Sequence, residues 1–155
     1  MKIVETTLLS NCEKEIAYKL WNNEYPKKLA YKNLPEFESY LNSLTETTHL
    51  LLIRGIGEIV GWAFTFKREN SKWFAIILNS IAQRQGNGTL LLNKLKEKED
   101  VLNGWVIDHN GEIKNNDEQY KSPLKFYEKN GFVTCSETRL ELNKISAVKI
   151  LWSSK

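Results

Sequence analysis

The chain has 155 residues, of which 41% are hydrophobic, so it can bury one core, and we predict a single domain spanning residues 1–155. Its net charge of +3, from 22 basic and 19 acidic residues, is too small to indicate a nucleic-acid partner. No apolar run approaches the ~18 residues of a membrane span, no signal peptide is recognisable, and Cys12 and Cys135 have no CxxC partner. We therefore expect a cytoplasmic protein with no membrane partner and no metal; a monomer and a homodimer both stay open.

The first part of the chain predicts a strand followed by two helices. Lys2 to Leu9 is strand-like, and Ser10 with Glu13 forms a capping box that begins a helix. Pro26 ends this helix. A second helix begins at Pro35, because proline is favoured in the first turn and the residues after it place apolar side chains on one face.

Three strands are predicted next. His49 to Arg54 and Glu58 to Lys67 indicate a hairpin that turns around Gly55 and Gly57. Apolar residues alternate along its second strand and are predicted to share one face: Val60, Trp62, Phe64 and Phe66. Trp73 to Asn79 is the third strand, which we expect to pair with the hairpin.

A glycine-rich segment follows the third strand. Gln83, Gly86 and Gly88 form a QxxGxG pattern just before a leucine-rich helix, where free amides and the helix dipole attract an anion such as a phosphate. The segment is not a P-loop, because Thr89 and a leucine follow Gly88 instead of Lys and Ser or Thr. It is not a dinucleotide fingerprint, because Leu91 replaces the third glycine. The alternative is a turn that only caps the helix.

The remaining chain predicts a strand, a long loop, a helix and a final hairpin. The strand is Gly104 to His109, and the polar loop is Asn110 to Lys121, which is either part of a binding site or a disordered insertion. Ser122 caps a helix that begins at Pro123 and ends at Gly131. The last hairpin is formed by Phe132 to Leu142 and Ile145 to Trp152.

Two segments resemble the GCN5-related N-acetyltransferase (GNAT) superfamily: the QxxGxG loop with its flanking strand and helix, and the sequence SPLKFYEKNGF from Ser122 to Phe132. The order of the elements matches the GNAT architecture across nearly the whole chain. The resemblance implies an α/β (α+β) fold with a mixed, mostly antiparallel central sheet flanked by helices. Its fourth and fifth strands, here Trp73 to Asn79 and Gly104 to His109, would splay apart.

The resemblance also implies an activity. It indicates an acetyl-CoA-dependent N-acetyltransferase that passes an acetyl group directly to a primary amine on a small molecule or a peptide. Acetyl-CoA (coenzyme A) is then the co-substrate, and no metal takes part. The alternative is a non-catalytic module of the same fold that binds or senses acyl-CoA.

The resemblance assigns a coenzyme A site to the glycine-rich segment. Its members are Gln83, Arg84, Gln85, Gly86, Asn87, Gly88 and Thr89. Their amides from Arg84 to Thr89 would hold the pyrophosphate, with further contacts from the Arg84 side chain and the Thr89 hydroxyl. Lys129 would approach the nucleotide phosphate, unless it is an ordinary solvated lysine.

Four residues are candidates for catalysis. By resemblance, the Leu78 backbone contacts the pantetheine arm and its amide stabilises the oxyanion, while Tyr127 contacts coenzyme A and protonates its departing thiolate. The alternative for Tyr127 is a core position. No carboxylate lies on the strand before the loop, so Asp108 and His109 are the nearest candidates for the base. As strand neighbours they should face opposite ways, so at most one would enter the cleft; the alternative for each is a polar residue at the edge of a loop.

Overall fold

A computed structural model describes residues 1–155 as seven strands and four α-helices. The strands are β1 (Lys2–Thr6), β2 (Thr45–Arg54), β3 (Glu58–Arg68), β4 (Ser71–Leu78), β5 (Val101–Val106), β6 (Val133–Leu142) and β7 (Ile145–Ser153). The α-helices are α1 (Asn11–Glu24), α2 (Leu34–Ser43), α3 (Asn87–Lys98) and α4 (Leu124–Lys129). Two 3₁₀ turns, Lys27–Leu29 and Ser80–Ala82, precede α2 and α3. No helix is long and apolar enough to cross a membrane.

The strands form one sheet in the order β1-β2-β3-β4-β5-β7-β6, and every neighbouring pair is antiparallel except β4 and β5. These two parallel strands pair only at Trp73 and Asn103. The side chain of Asn103 reinforces this junction, because its Nδ2 donates to Ser71 Oγ at 2.7 Å and to Lys72 O at 2.8 Å. Beyond it the strands separate toward their carboxyl ends, so the predicted splay of the fourth and fifth strands is confirmed.

Both faces of the sheet are buried. On one face, three leucines of α3 (Leu91, Leu92 and Leu95) pack with Leu50 and Leu52 of β2. On the other face, α1 and α2 cover aromatic side chains of β3 and β4: Trp62, Phe64, Phe66 and Trp73. A central strand therefore places alternate residues in two different cores, which explains the unbroken apolar runs from Leu50 to Ile53 in β2 and from Ile59 to Phe64 in β3.

The predicted helix boundaries depend on local hydrogen bonds. Ser10 and Glu13 form both bonds of the capping box that begins α1, as predicted. Helix α4 differs slightly, because its N-cap is Pro123 rather than Ser122. The Ser122 hydroxyl instead accepts from the amide of Leu124 at 3.2 Å, so this serine forms a turn just before the helix.

Three strand predictions need correction. The first strand ends at Thr6 and does not extend to Leu9. The fifth strand begins at Val101 and ends at Val106, so it does not extend to His109. Val60 does not share a face with Trp62, because the register passes from Leu52↔Gly61 to Ile53↔Ile59 and leaves Val60 in a bulge. The extra residue turns Val60 toward the core that contains α3.

Candidate active site

A cavity of about 870 Å³ opens where β4 and β5 separate. The glycine-rich loop and α4 line it on one side of the sheet. The end of α1 and aromatic residues of α2, β3 and β4 line it on the other side, and the loop after β5 closes one end. The splay exposes backbone groups that a continuous sheet would pair, so a ligand can reach both faces through this opening.

The glycine-rich loop presents unpaired amides at the start of α3. The first helical hydrogen bond runs from Leu90 N to Gly86 O at 3.0 Å, and none of the six amides from Arg84 to Thr89 donates to a protein atom. Arg84 and Gly86 have φ of 61° and 82°, and these left-handed conformations turn the backbone into the helix. Successive free amides at a positive helix end form an anion site.

The polar side chains of the loop hold it in shape instead of facing a ligand. Gln83 Nε2 donates to Leu78 O at 2.9 Å, and Gln85 Nε2 donates to Ile81 O at 2.9 Å. The buried Asn87 donates through Nδ2 to Ala82 O, also at 2.9 Å. These side chains occupy the nearby carbonyl groups, which would otherwise be acceptors for the loop amides. The loop amides therefore stay free. Arg84 and Thr89 line the cavity, whereas Gln85 and Asn87 do not.

Glu24, a carboxylate that no sequence pattern distinguishes, supports the glycine-rich loop. Glu24, the last residue of α1, accepts from Ser80 N at 3.1 Å, from Ser80 Oγ at 3.0 Å and from Gln83 Nε2 at 3.3 Å. Its other contact is a salt bridge of 3.2 Å to Lys114, and both side chains are about 10% exposed. Glu24 therefore joins α1, the glycine-rich loop and the 110–121 loop.

The 110–121 loop is packed, so the disordered alternative is wrong. Ile113 pairs with Gln119, and the carbonyl of Ile113 accepts from Lys27 N at 2.8 Å. Tyr120 N donates to Glu112 O at 2.8 Å. The loop contributes Lys114, Tyr120 and neighbouring residues to the cavity wall.

Backbone amides of β4 face the opening between the strands. Asn79 N donates to Val60 O at 2.8 Å on the β3 side, and amide directions alternate along a strand. The amides of Leu78 and Ile76 therefore point toward β5, which pairs with β4 only at Trp73. The sequence analysis did not predict a role for the Ile76 amide. The available signal was its spacing, because amides two residues apart on a strand point the same way.

Tyr127 is both a core residue and a cavity residue, so its position is compatible with both of the roles predicted for it. Its ring packs on Phe74 and Phe132 at centroid distances of 5.6 and 5.4 Å. Its hydroxyl has no hydrogen-bond partner in the protein. Every fully buried polar side-chain atom has such a partner, so this hydroxyl is not fully buried, and it reaches the cavity. Burial, followed by the nearby Tyr120, raises the pKa of Tyr127, so the phenol stays protonated at neutral pH.

Three more tyrosines line the same cavity without a protein hydrogen bond to their hydroxyls: Tyr25, Tyr40 and Tyr120. Tyr25 and Tyr120 have ring centroids 6.5 Å apart. Burial raises the pKa of each of these phenols, and the proximity of the other tyrosines raises that of Tyr25 further. The cavity therefore carries a group of neutral hydroxyls.

Asp108 and His109 do not line the cavity, so each matches the alternative of a polar residue at the edge of a loop and neither is placed as a base. Because β5 ends at Val106, both residues lie in the following loop. Asp108 accepts from Arg139 Nη1 at 2.9 Å and from Arg139 Nη2 at 3.1 Å, and these hydrogen bonds lower the pKa of its carboxyl group. His109 Nδ1 accepts from Gly111 N at 3.0 Å. Lys129 is exposed outside the cavity wall.

Comparison with known proteins identifies the family. Residues 22–152 match the family model described as an acetyltransferase (GNAT) domain. This match covers most of the chain, which therefore belongs to the GNAT acetyltransferase family. No sequence among curated proteins matches the chain.

Solved structures share the fold at low sequence identity. An aminoglycoside 6'-N-acetyltransferase complexed with coenzyme A has a TM-score of 0.73 at 16% identity, over 99% of this chain and 97% of that chain. The aminoglycoside 6'-N-acetyltransferase from Enterococcus faecium has a TM-score of 0.71 at 16% identity, with the same coverage of 99% and 97%. A spermidine N-acetyltransferase variant from Vibrio cholerae has a TM-score of 0.68 at 15% identity, over 99% and 95%.

Proposed function

We propose that the protein is an acetyl-CoA-dependent N-acetyltransferase that transfers the acetyl group directly to a primary amine. One observation carries the proposal: four residues with free amides at the start of α3 line the same cavity as the Tyr127 hydroxyl and the unpaired amides of β4. They are Arg84, Gly86, Gly88 and Thr89. The first group suits a pyrophosphate and the others suit a thioester. A single ligand that spans them would be an acyl-CoA.

The glycine-rich loop is proposed to hold coenzyme A by its phosphates. The amides from Arg84 to Thr89 would donate to the pyrophosphate, with the Arg84 guanidinium and the Thr89 hydroxyl as further donors. The pantetheine arm would follow β4 through the opening, where the Leu78 and Ile76 amides can bind its carbonyl groups. Lys129 contributes at most from outside the cavity wall.

Transfer requires a neutral amine and a protonated leaving group. The nitrogen–carbon bond forms as the carbon–sulfur bond breaks, while an amide of β4 stabilises the negative charge on the carbonyl oxygen. Tyr127 would give its proton to the departing thiolate, and the phenolate would then regain a proton from water. We assign the amine proton to water, because Asp108 and His109 lie off the cavity and its apolar walls favour a neutral amine.

The proposal is tested by blocking the phosphate site. A Cβ added at Gly88 would lie 3.0 Å from Phe126 Cζ, so Gly88→Trp should fill this end of the cavity. Calorimetry should show that CoA binding is lost. Leu90→Trp is the matched control, because Leu90 lies on α3 outside the cavity lining and is 44% exposed. A folded Gly88→Trp protein with unchanged CoA affinity would overturn the assignment.

A non-catalytic acyl-CoA module is the second candidate. It is supported by the surroundings of the two cavity carboxylates, because Glu24 and Glu118 lie 3.2 and 3.9 Å from Lys114 and neither stands alone in the cavity as a candidate base. A free-thiol assay over a panel of primary amines separates the candidates. Coenzyme A release that depends on an added amine supports the transferase, whereas tight CoA binding without turnover across the panel supports the module.

A further inference from the structure

The half of the cavity on the α1 and α2 side is built from aromatic rings. The rings at its wall are Trp21, Tyr25, Tyr40, Trp73, Trp105 and Tyr120. Trp73 and Trp105 face each other across the opening between β4 and β5, with ring centroids 5.4 Å apart. Since the glycine-rich loop lies on the other side of the sheet, this half is the space left for the acceptor. Rings favour an acceptor with an apolar or aromatic body.

The charges of this half do not suit an acceptor with several ammonium groups. The cavity wall contains two carboxylates, Glu24 and Glu118, and Lys114 contacts them at 3.2 and 3.9 Å. Glu24 also accepts hydrogen bonds from Ser80 and Gln83. The buried carboxylate, Glu24, is therefore already paired, and Glu118 is 71% exposed. A second ammonium group inside the cavity would lose its hydration without compensation.

One arginine of this half is available to an anion. Arg68, at the end of β3, lines the cavity and makes no salt bridge with any carboxylate of the chain. Its guanidinium carbon lies 5.0 Å from the Phe66 ring centroid and 5.7 Å from the Trp73 ring centroid. Arg68 is an exposed residue, and the two rings contact its guanidinium while leaving the N–H groups free to bind a carboxylate.

We propose that the acceptor is a primary amine with an aromatic or apolar body and an anionic group at its far end, which Arg68 binds. The inference rests on the proposed transferase function. Trp73, beside Arg68, precedes Ile76 and Leu78, the two residues whose amides can bind the thioester, by three and five residues, which is at least ~10 Å along a strand. The anion is therefore separated from the amine by a spacer of about that length, so an α-carboxylate next to the amine is too close.

Three synthetic amines of one shape test the proposal. 4-(2-Aminoethyl)benzoate carries an anion at the far end, 2-phenylethylamine carries no charge there, and 4-(2-aminoethyl)benzylamine carries a second ammonium group. With saturating acetyl-CoA, kcat/KM should be at least about tenfold higher for the benzoate than for 2-phenylethylamine, because a charged hydrogen bond is worth about that factor. The dication should be the poorest of the three, and spermidine should react more slowly than the benzoate.

Arg68→Met then assigns the preference to one side chain. It should lower kcat/KM for the benzoate by about tenfold while leaving 2-phenylethylamine and the KM for acetyl-CoA unchanged. Lys67→Met, the neighbouring cation on β3 outside the cavity wall, is the matched control. An equal effect on both amines, or faster transfer to spermidine or the dication, would overturn this inference alone. No coenzyme A release with any amine would overturn the transferase function itself, and this inference with it.

Discussion

Tyr127 combines a packed ring with a hydroxyl that reaches the cavity, so the two roles separate in one substitution. Tyr127→Phe keeps the ring contacts with Phe74 and Phe132 and removes the proton donor. We expect turnover to fall by about 10²-fold or more with acetyl-CoA affinity nearly unchanged, because the proton is needed only as the thiolate departs. Steady-state kinetics and thermal melts measure the two effects.

Tyr31→Phe is the control for this substitution, because Tyr31 belongs to the aromatic cluster around α2 but does not line the cavity. It should leave turnover unchanged. A Tyr127→Phe protein with the turnover of the unmodified chain would show that the hydroxyl is not the acid.

His49 predicts a pH dependence of stability that is separate from the active site. It is 5% exposed, and its Nδ1 accepts from Trp62 Nε1 at 3.0 Å. Burial lowers the pKa of His49 to about 4, against an opposing effect of Glu13. An unfolded histidine titrates near ~6.5, so between these values the unfolded chain binds a proton that the folded chain does not. The free energy of unfolding should therefore fall as the pH decreases from about 6.5 toward 4.

The full decrease should reach about 3 kcal/mol over that range. Urea unfolding at several pH values between 5 and 7 measures it, since few carboxylates titrate there. His49→Gln should remove most of the slope in this window, whereas His109→Gln should preserve it, because His109 lies in a partly exposed loop. The same slope in both variants would contradict the assignment to His49.

At the scale of elements, the salt bridge between Glu24 and Lys114 holds two loops against the end of α1. Lys114→Met leaves a carboxylate about 10% exposed without its cation, which costs about 3–5 kcal/mol when an ion pair is buried. We expect a lower melting temperature. We also expect CoA affinity to fall by roughly tenfold, because Glu24 bonds Gln83 and Ser80 and so supports the free amides.

Lys27→Met is the control, because the salt bridge from Lys27 reaches the same loop at Asp117 but is exposed and should contribute little. Thermal melts and CoA calorimetry on both variants separate the buried bridge from the exposed one. If Lys114→Met bound CoA as tightly as Lys27→Met, the bridge would stabilise the fold without positioning the loop.

For the molecule as a whole, transfer without a covalent enzyme intermediate predicts that both cysteines are dispensable. Cys12 is exposed in the first turn of α1, Cys135 lies on β6, and neither lines the cavity. The Cys12→Ser, Cys135→Ser double variant should keep turnover within about twofold of the unmodified chain. Initial-rate plots against both substrates should intersect, as for a ternary complex. A folded double variant without activity would require a covalent route.

The sequence alone determined the features that depend on neighbouring residues. The capping box at Ser10, the glycine turn at Gly86 and the helix stop at Gly131 each arise within a few residues, where backbone conformation follows side-chain type. Two motifs and the order of the elements resemble the GNAT family, and this resemblance implied the splayed sheet; the family and the splay are both confirmed. The roles of Leu78 and Tyr127 stay predictions, although both residues line the cavity.

Only the tertiary structure decided which distant residues meet. Glu24 and Lys114 are 90 positions apart, and no local pattern distinguishes either from a solvated surface charge. The end of β5 depends on its pairing with β7, and that pairing left Asp108 beside Arg139 and away from the cavity. The aromatic half with the unpaired Arg68 likewise exists only after α1 and α2 pack on the sheet. Contacts of this kind depend on how whole elements pack, so local residue preferences do not determine them.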